Sequence, residues 1–443
     1  MKRAMYQQLL TWKKSRHRKP LLLQGARQVG KTFLINEFGK NEYSNFIYLN
    51  FEQNAELHTL FTGNLEPSNI IGNISLYLNQ KINSSDTLIF FDEIQTAPDV
   101  LTSLKYFYEH APEYHIIAAG SLLGVSVGKK SSFPVGKVTF LTLYPMSFKE
   151  YLTAFDQELI AEKLNAFQYT DSFPEIIHQK LLKHLKMYLY LGGMPEVLNV
   201  YLKENDISLA RKIQLDILEA YKRDFSKYAD SSQAIKTFEL WHSIPYQLAK
   251  ENKKFKYSDV RKNARSATFE NTIHWLKNTG LINIAYNIKV PKIPLSGYAD
   301  YSKFKLYLLD SGLLGAMLNI SPEIIIKPNA LFSEYNGAFI ENFVASELIS
   351  AGIKNLYYWT SKSDAEVDFV IEQGGNIYPL EVKSGTNRNI KSLRSYAEKF
   401  NPKFIIRTSP RNFTIDNDFI NIPLYAICII KNLIGSTDSA GVL

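Results

Sequence analysis

Cysteine is almost missing from these 443 residues: Cys428 stands alone. An intramolecular disulfide and a cysteine-built zinc site are therefore both excluded. Long apolar runs are missing too. The longest, near Leu424–Ile430, falls well short of the roughly 18 residues of a membrane span and reads as a buried strand. The N-terminus is basic but has no apolar stretch of signal-peptide length. A soluble, cytoplasmic protein with no membrane partner is the expectation. The opening segment also lacks acids: Lys2, Arg3, Lys13, Lys14, Arg16, Arg18 and Lys19 meet no Asp or Glu before residue 20. It reads as the solvated face of an N-terminal helix, with nucleic-acid contact as the other reading. A formal net charge of +8 points only mildly to a polyanionic partner. The 45% apolar content is enough for large cores, and the length predicts about two to four domains.

What is present is more specific. Gly25-Ala26-Arg27-Gln28-Val29-Gly30-Lys31-Thr32 fits the phosphate-loop pattern G-x-x-x-x-G-K-[ST], and Phe33 follows it. The apolar run Pro20–Leu23 precedes it as a strand. The segment from Phe33 to Phe38 follows with helical spacing. Glycines let backbone N–H groups close around phosphate oxygens, and the helix N-terminus adds a positive dipole end. Lys31 would reach the outer phosphates of ATP, and the Thr32 hydroxyl would ligate Mg²⁺.

Downstream, Thr87–Phe91 reads as a buried strand ending in Asp92-Glu93. A parallel strand next to the first would carry both carboxylates to the phosphate end. Asp92 would hold Mg²⁺ through water, and Glu93 would orient and deprotonate the attacking water. Further strands are read at 45–51, at 114–121 with Ser121 at its carboxyl end, and at 137–143. Strands alternating with helices over about 18–155 predict an α/β domain with a parallel sheet.

From 156 to 235 the pattern turns helical, broken at Gly192-Gly193-Met194-Pro195. From 236 to 320 it reads as a winged helix. One short helix starts at Tyr257 and another at Ser266, and Leu281–Tyr286 and Lys305–Leu309 pair as the wing. That unit either enters a DNA groove or serves as a packing module.

The C-terminal segment, 321–443, predicts a helix over Asn336–Ile349 bearing Glu341, then strands at 356–359, 366–371 and 377–383, the last two joined by a turn at 373–376. Asp368 falls on one arm of that hairpin and Glu381 and Lys383 on the other. Residues two apart on a strand share a face. Carboxylates with a lysine can bind a second divalent metal and activate water against a phosphodiester. The other reading is a sheet decorated with a salt bridge.

GARQVGKT, LIFFDE, AAGS, LYPMSFKEYL, LYLGGMPEV, LLDSGLL and YYWTSKSDAEVDFVIE…YPLEVKSG occur in this order, over roughly residues 20–385. Together they resemble the bacterial and archaeal AAA+-type ATPases that carry a C-terminal DUF4143 domain. The resemblance implies a P-loop AAA+-type ATPase domain (1–155), a helical domain (156–235), a winged-helix domain (236–320) and a restriction-endonuclease-like α/β domain of the PD-(D/E)xK type (321–443). Carried over by position, the 25–33 segment binds nucleotide with Lys31 and Glu93 catalytic, Thr32 and Asp92 on Mg²⁺, and Ser121 sensing the γ-phosphate. Glu341, Asp368, Glu381 and Lys383 form the nuclease-type quartet. Where relatives have a Gly-Arg pair, this chain has Gly136-Lys137. The arginine finger of a homo-oligomer would thus fall to Lys137, which lacks the guanidinium fork, or to another residue such as Arg223. ATP hydrolysis coupled to DNA binding or cleavage is the activity implied. The alternative is a nucleotide-gated switch in which the quartet is a relic.

Overall fold

The structure is a computed structural model that describes residues 1–121, 134, 136–168, 171–228, 231–250, 253–321, 337–361, 365–385 and 390–439. It forms two compact units. The first is Met1–Tyr144 with Asn278–Gly280, and the second is Pro145–Lys277 with Leu281–Leu443. Among the described residues no helix is long and apolar enough to cross a membrane.

In the first unit five strands, β1 (Leu21–Gln24), β2 (Asn45–Asn50), β3 (Thr87–Asp92), β4 (His115–Ala119) and β5 (Thr139–Thr142), form a sheet ordered β2-β3-β4-β1-β5. All its pairings are parallel. The phosphate-loop strand and the acid-bearing strand are not neighbours, contrary to the expectation from sequence. β4 lies between them, pairing Leu21 with Ile117 and Ile89 with Ile116. Every residue of β4 is buried, as a central parallel strand covered on both faces requires. Helices Pro67–Leu78 and Pro98–His110 each open on proline, whose missing N–H costs nothing in a first turn. Their apolar faces meet the sheet around Ile89, Phe91, Ile116, Leu104 and Phe107.

The second unit begins with helices Phe148–Ala154, Glu158–Asn165, Glu175–Leu191, Pro195–Glu204, Ile207–Tyr228, Ser231–Leu248 and Ser266–Asn278. Gly192-Gly193-Met194 makes the tight turn its composition predicts. A Cβ on Gly193 would lie 2.0 Å from the Met146 carbonyl oxygen, so only glycine lets these two backbones touch. The Gly193 N–H donates to Asp310 Oδ2 at 2.6 Å, fixing the turn to the cap of helix Ser311–Met317.

An eight-stranded mixed sheet follows, built from β6 (Ile282–Ile288), β7 (Ala299–Leu308), β8 (Leu356–Thr360), β9 (Glu366–Gln373), β10 (Asn376–Val382), β11 (Ile405–Ser409), β12 (Thr414–Asp416) and β13 (Phe419–Pro423). Its order is β12-β13-β11-β10-β9-β8-β6-β7. The β6–β7 hairpin expected as a wing does form, and it continues into the C-terminal strands: β6 pairs in parallel with β8 from Ala285↔Leu356 to Ile288↔Trp359. The first of the two short helices read beside it is only a 3₁₀ turn, Tyr257–Asp259. The β9–β10 hairpin turns at Gly374 and Gly375, both at positive φ. Helix Ala338–Ser350 carries Glu341, although Asn336, the expected helix start, lies outside the described residues. Leu424–Ile429 is not a strand but a 3₁₀ turn running into helix Ile430–Ser439. A short run that is apolar at every position has no period to separate the two.

Glu347 ties this unit together. Its Oε1 accepts the Phe148 N–H, at the first turn of a helix, at 2.9 Å, and the Tyr188 hydroxyl at 3.2 Å. Burial raises its pKa from 4.5 to about 8. The native state therefore keeps a proton that the unfolded chain releases, and stability from this group falls as pH rises from 4.5 through about 8. Glu347→Gln is expected to flatten the decline in thermal midpoint across that window, read by melts at several pH values. An unchanged slope would show the group ionised in the native state.

Candidate functional site

The phosphate loop leaves β1 at Gln24 and ends where helix Lys31–Glu42 begins. Its backbone alternates in hand, with positive φ at Gly25 (150°), Gln28 (65°) and Gly30 (91°). Such alternation turns successive N–H groups inward and builds an anion-binding concavity. Gly25 is fixed by contact as well. The Leu143 N–H donates to the Gln24 carbonyl at 2.7 Å, and a Cβ on Gly25 would lie 2.3 Å from the Leu143 oxygen. Ala26 and Val29 are buried, Arg27 is half-buried, and Gln28 and Phe33 are exposed.

Lys31 is buried, and its ammonium donates to the loop's own carbonyls, Gly25 O at 3.0 Å and Ala26 O at 2.9 Å. Burial pushes its pKa down to about 8 against the opposing pull of Glu93 and Asp92. Thr32 Oγ1 donates to Asp92 Oδ2 at 2.7 Å, so the loop and the end of β3 meet across the intervening strand. Burial raises the Asp92 pKa, and the Thr32 hydrogen bond works against that rise. Glu93, one residue past the strand, sits in left-handed backbone (φ 55°, ψ 42°). A non-glycine residue held there is the sort of strain that functional sites carry. The Gln95 side-chain amide donates to Glu93 Oε2. Ser121, just past the end of β4, is buried, and its hydroxyl has no partner among the described residues. Thr32 and Asp92 set two oxygens side by side next to a buried ammonium, which fits a nucleotide-bound Mg²⁺.

Sequence reasoning missed two residues here. Tyr48 donates to Asp92 Oδ2 at 3.1 Å, and its own hydroxyl accepts from Asn50 at 3.0 Å. A tyrosine in a strand carries no such signal until the register of β2 against β3 is known. Arg3, read as part of a solvated basic face, is instead buried, its guanidinium donating to Val29 O at 2.9 Å and Tyr144 O at 2.6 Å. Of the two finger candidates, Lys137 is held in an ion pair with Glu109 at 3.0 Å, and Arg223 is an exposed residue of helix Ile207–Tyr228.

The C-terminal quartet comes together as two pairs. Glu341 and Asp368 share a hydrogen bond, and Lys383 Nζ lies 2.6 Å from Glu381 Oε1. The Val382 N–H, donating to Asp368 Oδ2 at 2.8 Å, links them. Three residues not singled out from sequence also converge. Lys305, fully buried on β7, reaches Glu366 Oε1 at 2.5 Å, Glu341 Oε2 at 3.8 Å and Asp368 Oδ1 at 3.9 Å. Lys253 reaches Glu341 Oε1 at 2.8 Å. The Tyr307 hydroxyl donates to Glu341 Oε2 at 3.2 Å. Burial drives the Asp368 carboxyl well above its ordinary value, with the Glu341 carboxylate adding to it. Burial alone would raise Glu341 as well, but Lys305 and Lys253 hold it below. A lysine in the run Phe304–Leu308 was the available signal, since the other four residues of that run are apolar or aromatic.

Comparison with known proteins matches separate domain models to the two site-bearing segments. Residues 17–152 match an AAA domain model (AAA_14), and residues 336–427 match DUF4143, a domain of unknown function. The chain carries an AAA domain and a DUF4143 domain. Residues 182–324, between them, match a second domain of unknown function, DUF8612. The uncharacterized protein MJ1544 of Methanocaldococcus jannaschii is 25% identical over 362 residues, 79% of this chain and 71% of that protein. The uncharacterized protein Rv2008c of Mycobacterium tuberculosis is 36% identical over 93 residues, 20% of each chain. Among solved structures, the Walker-type ATPase PABY2304 of Pyrococcus abyssi aligns over 72% of this chain and 95% of its own, with 14% identity and a TM-score of 0.43. The Aeropyrum pernix ORC1 protein, solved in complex with DNA, covers 71% and 90%, with 10% identity and a TM-score of 0.30. Both scores fall below 0.5, and the fold rests on the strand order and registers above.

The two glycine environments in this unit separate cleanly. Gly25→Ala forces a clash with the Leu143 carbonyl and should cost about 2 kcal/mol or more, lowering the thermal midpoint by several degrees. Gly72→Ala, in helix Pro67–Leu78 with open space around it, should raise stability by about 0.5–1 kcal/mol. Melting curves of the two variants check both signs.

Proposed function

We propose that this protein binds ATP at the phosphate loop and hydrolyses it with Mg²⁺, and that the resulting conformational cycle is coupled to nucleic-acid binding or cleavage by the C-terminal domain, with DNA as the first substrate to test. One observation carries the reading: Lys31, Thr32, Asp92 and Glu93 converge although 60 residues separate the loop from the acids. Lys31 donates to the loop carbonyls of Gly25 and Ala26. Incoming phosphates would exchange those contacts for charge-assisted ones. Thr32 and Asp92 would hold Mg²⁺, which supplies charge neutralisation at the phosphates. Glu93 would align a water and accept its proton, once freed from the Gln95 amide. Ser121 offers its unused hydroxyl at the same strand ends.

The finger of a homo-oligomer would come from Arg223 sooner than from Lys137, since Arg223 is exposed and Lys137 is already paired. The four segments 1–155, 156–235, 236–320 and 321–443 would serve as the ATPase, connecting, nucleic-acid-docking and nuclease-like parts of this cycle. The net charge of +8 supports a polyanionic partner. A second reading, a nucleotide-gated switch whose nuclease-like domain does not cut, is favoured by the two lysines seated on its acids.

Phosphate release measured with Mg²⁺ and ATP tests the core of the proposal. Lys31→Ala should abolish it together with nucleotide affinity. Glu93→Gln should slow it by about 10²-fold or more while ATP stays bound. Equal turnover by wild type and Lys31→Ala would overturn the proposal. Duplex-DNA affinity compared between ATP-bound and ADP-bound protein tests the coupling.

A further inference from the structure

Every acid of the C-terminal cluster already faces a positive or hydrogen-bonding partner. Lys305 contributes from β7, covered by helices Ser231–Leu248, Ser311–Met317 and Ala338–Ser350. It is fully buried, so its ammonium has no water to fall back on, and removing a lone ammonium from water is far too costly to persist unpaired. It sits among Glu341, Glu366 and Asp368, with the Tyr358 ring centroid 5.0 Å away on a further side. That is the surrounding a cation seeks: three carboxylates and an aromatic face. Lys253 closes the remaining oxygen of Glu341, and the Val382 N–H takes the second oxygen of Asp368. Among the described residues no group of three or more His, Cys, Asp or Glu side chains is arranged to hold a metal ion. The residues present therefore do not fit the divalent metal that the nuclease-like fold implies.

We propose that Lys305 is the resident cation of this cluster, standing where the nuclease-like fold would place a divalent metal, so that the C-terminal domain engages its partner without metal-dependent phosphodiester cleavage. The proposal refines the nucleic-acid part of the function above. A protein side chain cannot be chelated away or exchanged. It has no open coordination position and carries no water to be activated, so it supplies the charge balance of a metal without the chemistry. Glu341 and Glu366 are then held for structure. Lys383 is the member of the quartet nearest solvent, about one-third exposed, and it holds the buried Glu381. Among the described residues Glu381 Oε2 is buried without a partner, but one oxygen beside an ammonium is too little for a divalent ion.

Mn²⁺ binding to the nucleotide-free full chain, followed by electron paramagnetic resonance, decides the matter. Wild type and Asp368→Asn should bind the same number of ions with the same affinity, any shared ion belonging to Asp92 and Glu93. One extra ion in wild type, lost in Asp368→Asn, would overturn the proposal. Lys305→Met should bind Mn²⁺ at least about tenfold more tightly than wild type, a gain cancelled by adding Asp368→Asn. A folded Lys305→Met that gains nothing would count against it. If Lys305→Met does not fold, the comparison of wild type with Asp368→Asn still decides. Plasmid incubated with Mg²⁺ or Mn²⁺ should remain uncut by wild type, and cutting that disappears in Asp368→Asn would overturn the proposal. ATP turnover in the same preparations depends on Lys31 and reports separately on the N-terminal site.

Discussion

Burying a carboxylate at the end of a strand is expensive, and the phosphate-loop unit is organised around meeting that cost at Asp92. Among the described residues its oxygens receive only neutral donors: the Thr32 hydroxyl, the Tyr48 hydroxyl and a backbone N–H from Glu93. Hydroxyls can turn and release an oxygen to an incoming cation, whereas an ammonium fixed in place would compete with it. The central position of β4 follows from the same need. It sets the strand ends of β1 and β3 one strand apart, close enough for Thr32 to reach Asp92 and wide enough to leave Ser121 between them.

The second unit handles buried acids in the opposite way. Glu341, Glu366 and Asp368 are met by ammonium groups already in the chain. Glu347 keeps its own proton, and Asp310, pushed by burial up to about 6, takes backbone N–H groups. Acids of similar type thus end in two settings, one met by neutral donors and one by ammonium or backbone N–H groups. The difference lies in the partners and not in the carboxylates.

Much of the first unit was legible in sequence because its signals are local. A glycine loop between strand and helix, and a buried run ending in two acids, need no knowledge of distant residues. The strand order was not legible, since β3 and β4 are both continuous apolar runs and nothing in either says which is central. Arg3 and Tyr48 were invisible for a related reason: Val29 lies 26 residues from Arg3, and Asp92 lies 44 residues from Tyr48. In the C-terminal unit the hairpin carrying Asp368, Glu381 and Lys383 was readable from its alternation and its Gly-Gly turn. Lys305 was passed over because a lysine on a strand is ordinarily at the surface, and only the fold shows that the strand is roofed by helices.

The parallel pairing of β6 with β8 joins Ala285–Ile288 to Leu356–Trp359, with β7 and helices Ser311–Met317 and Ala338–Ser350 between them in the chain. Recombinant fragments are commonly cut between segments that look separate in sequence, and a cut anywhere between β7 and β8 would divide this sheet. The upstream piece would end in a two-stranded ribbon whose largely buried β6 is left as an open edge, the condition that drives strands of different molecules to pair. The downstream piece would lose Lys305, and with it the ammonium that Glu366 and Asp368 face. For this chain the smallest separable C-terminal body is the whole of the second unit.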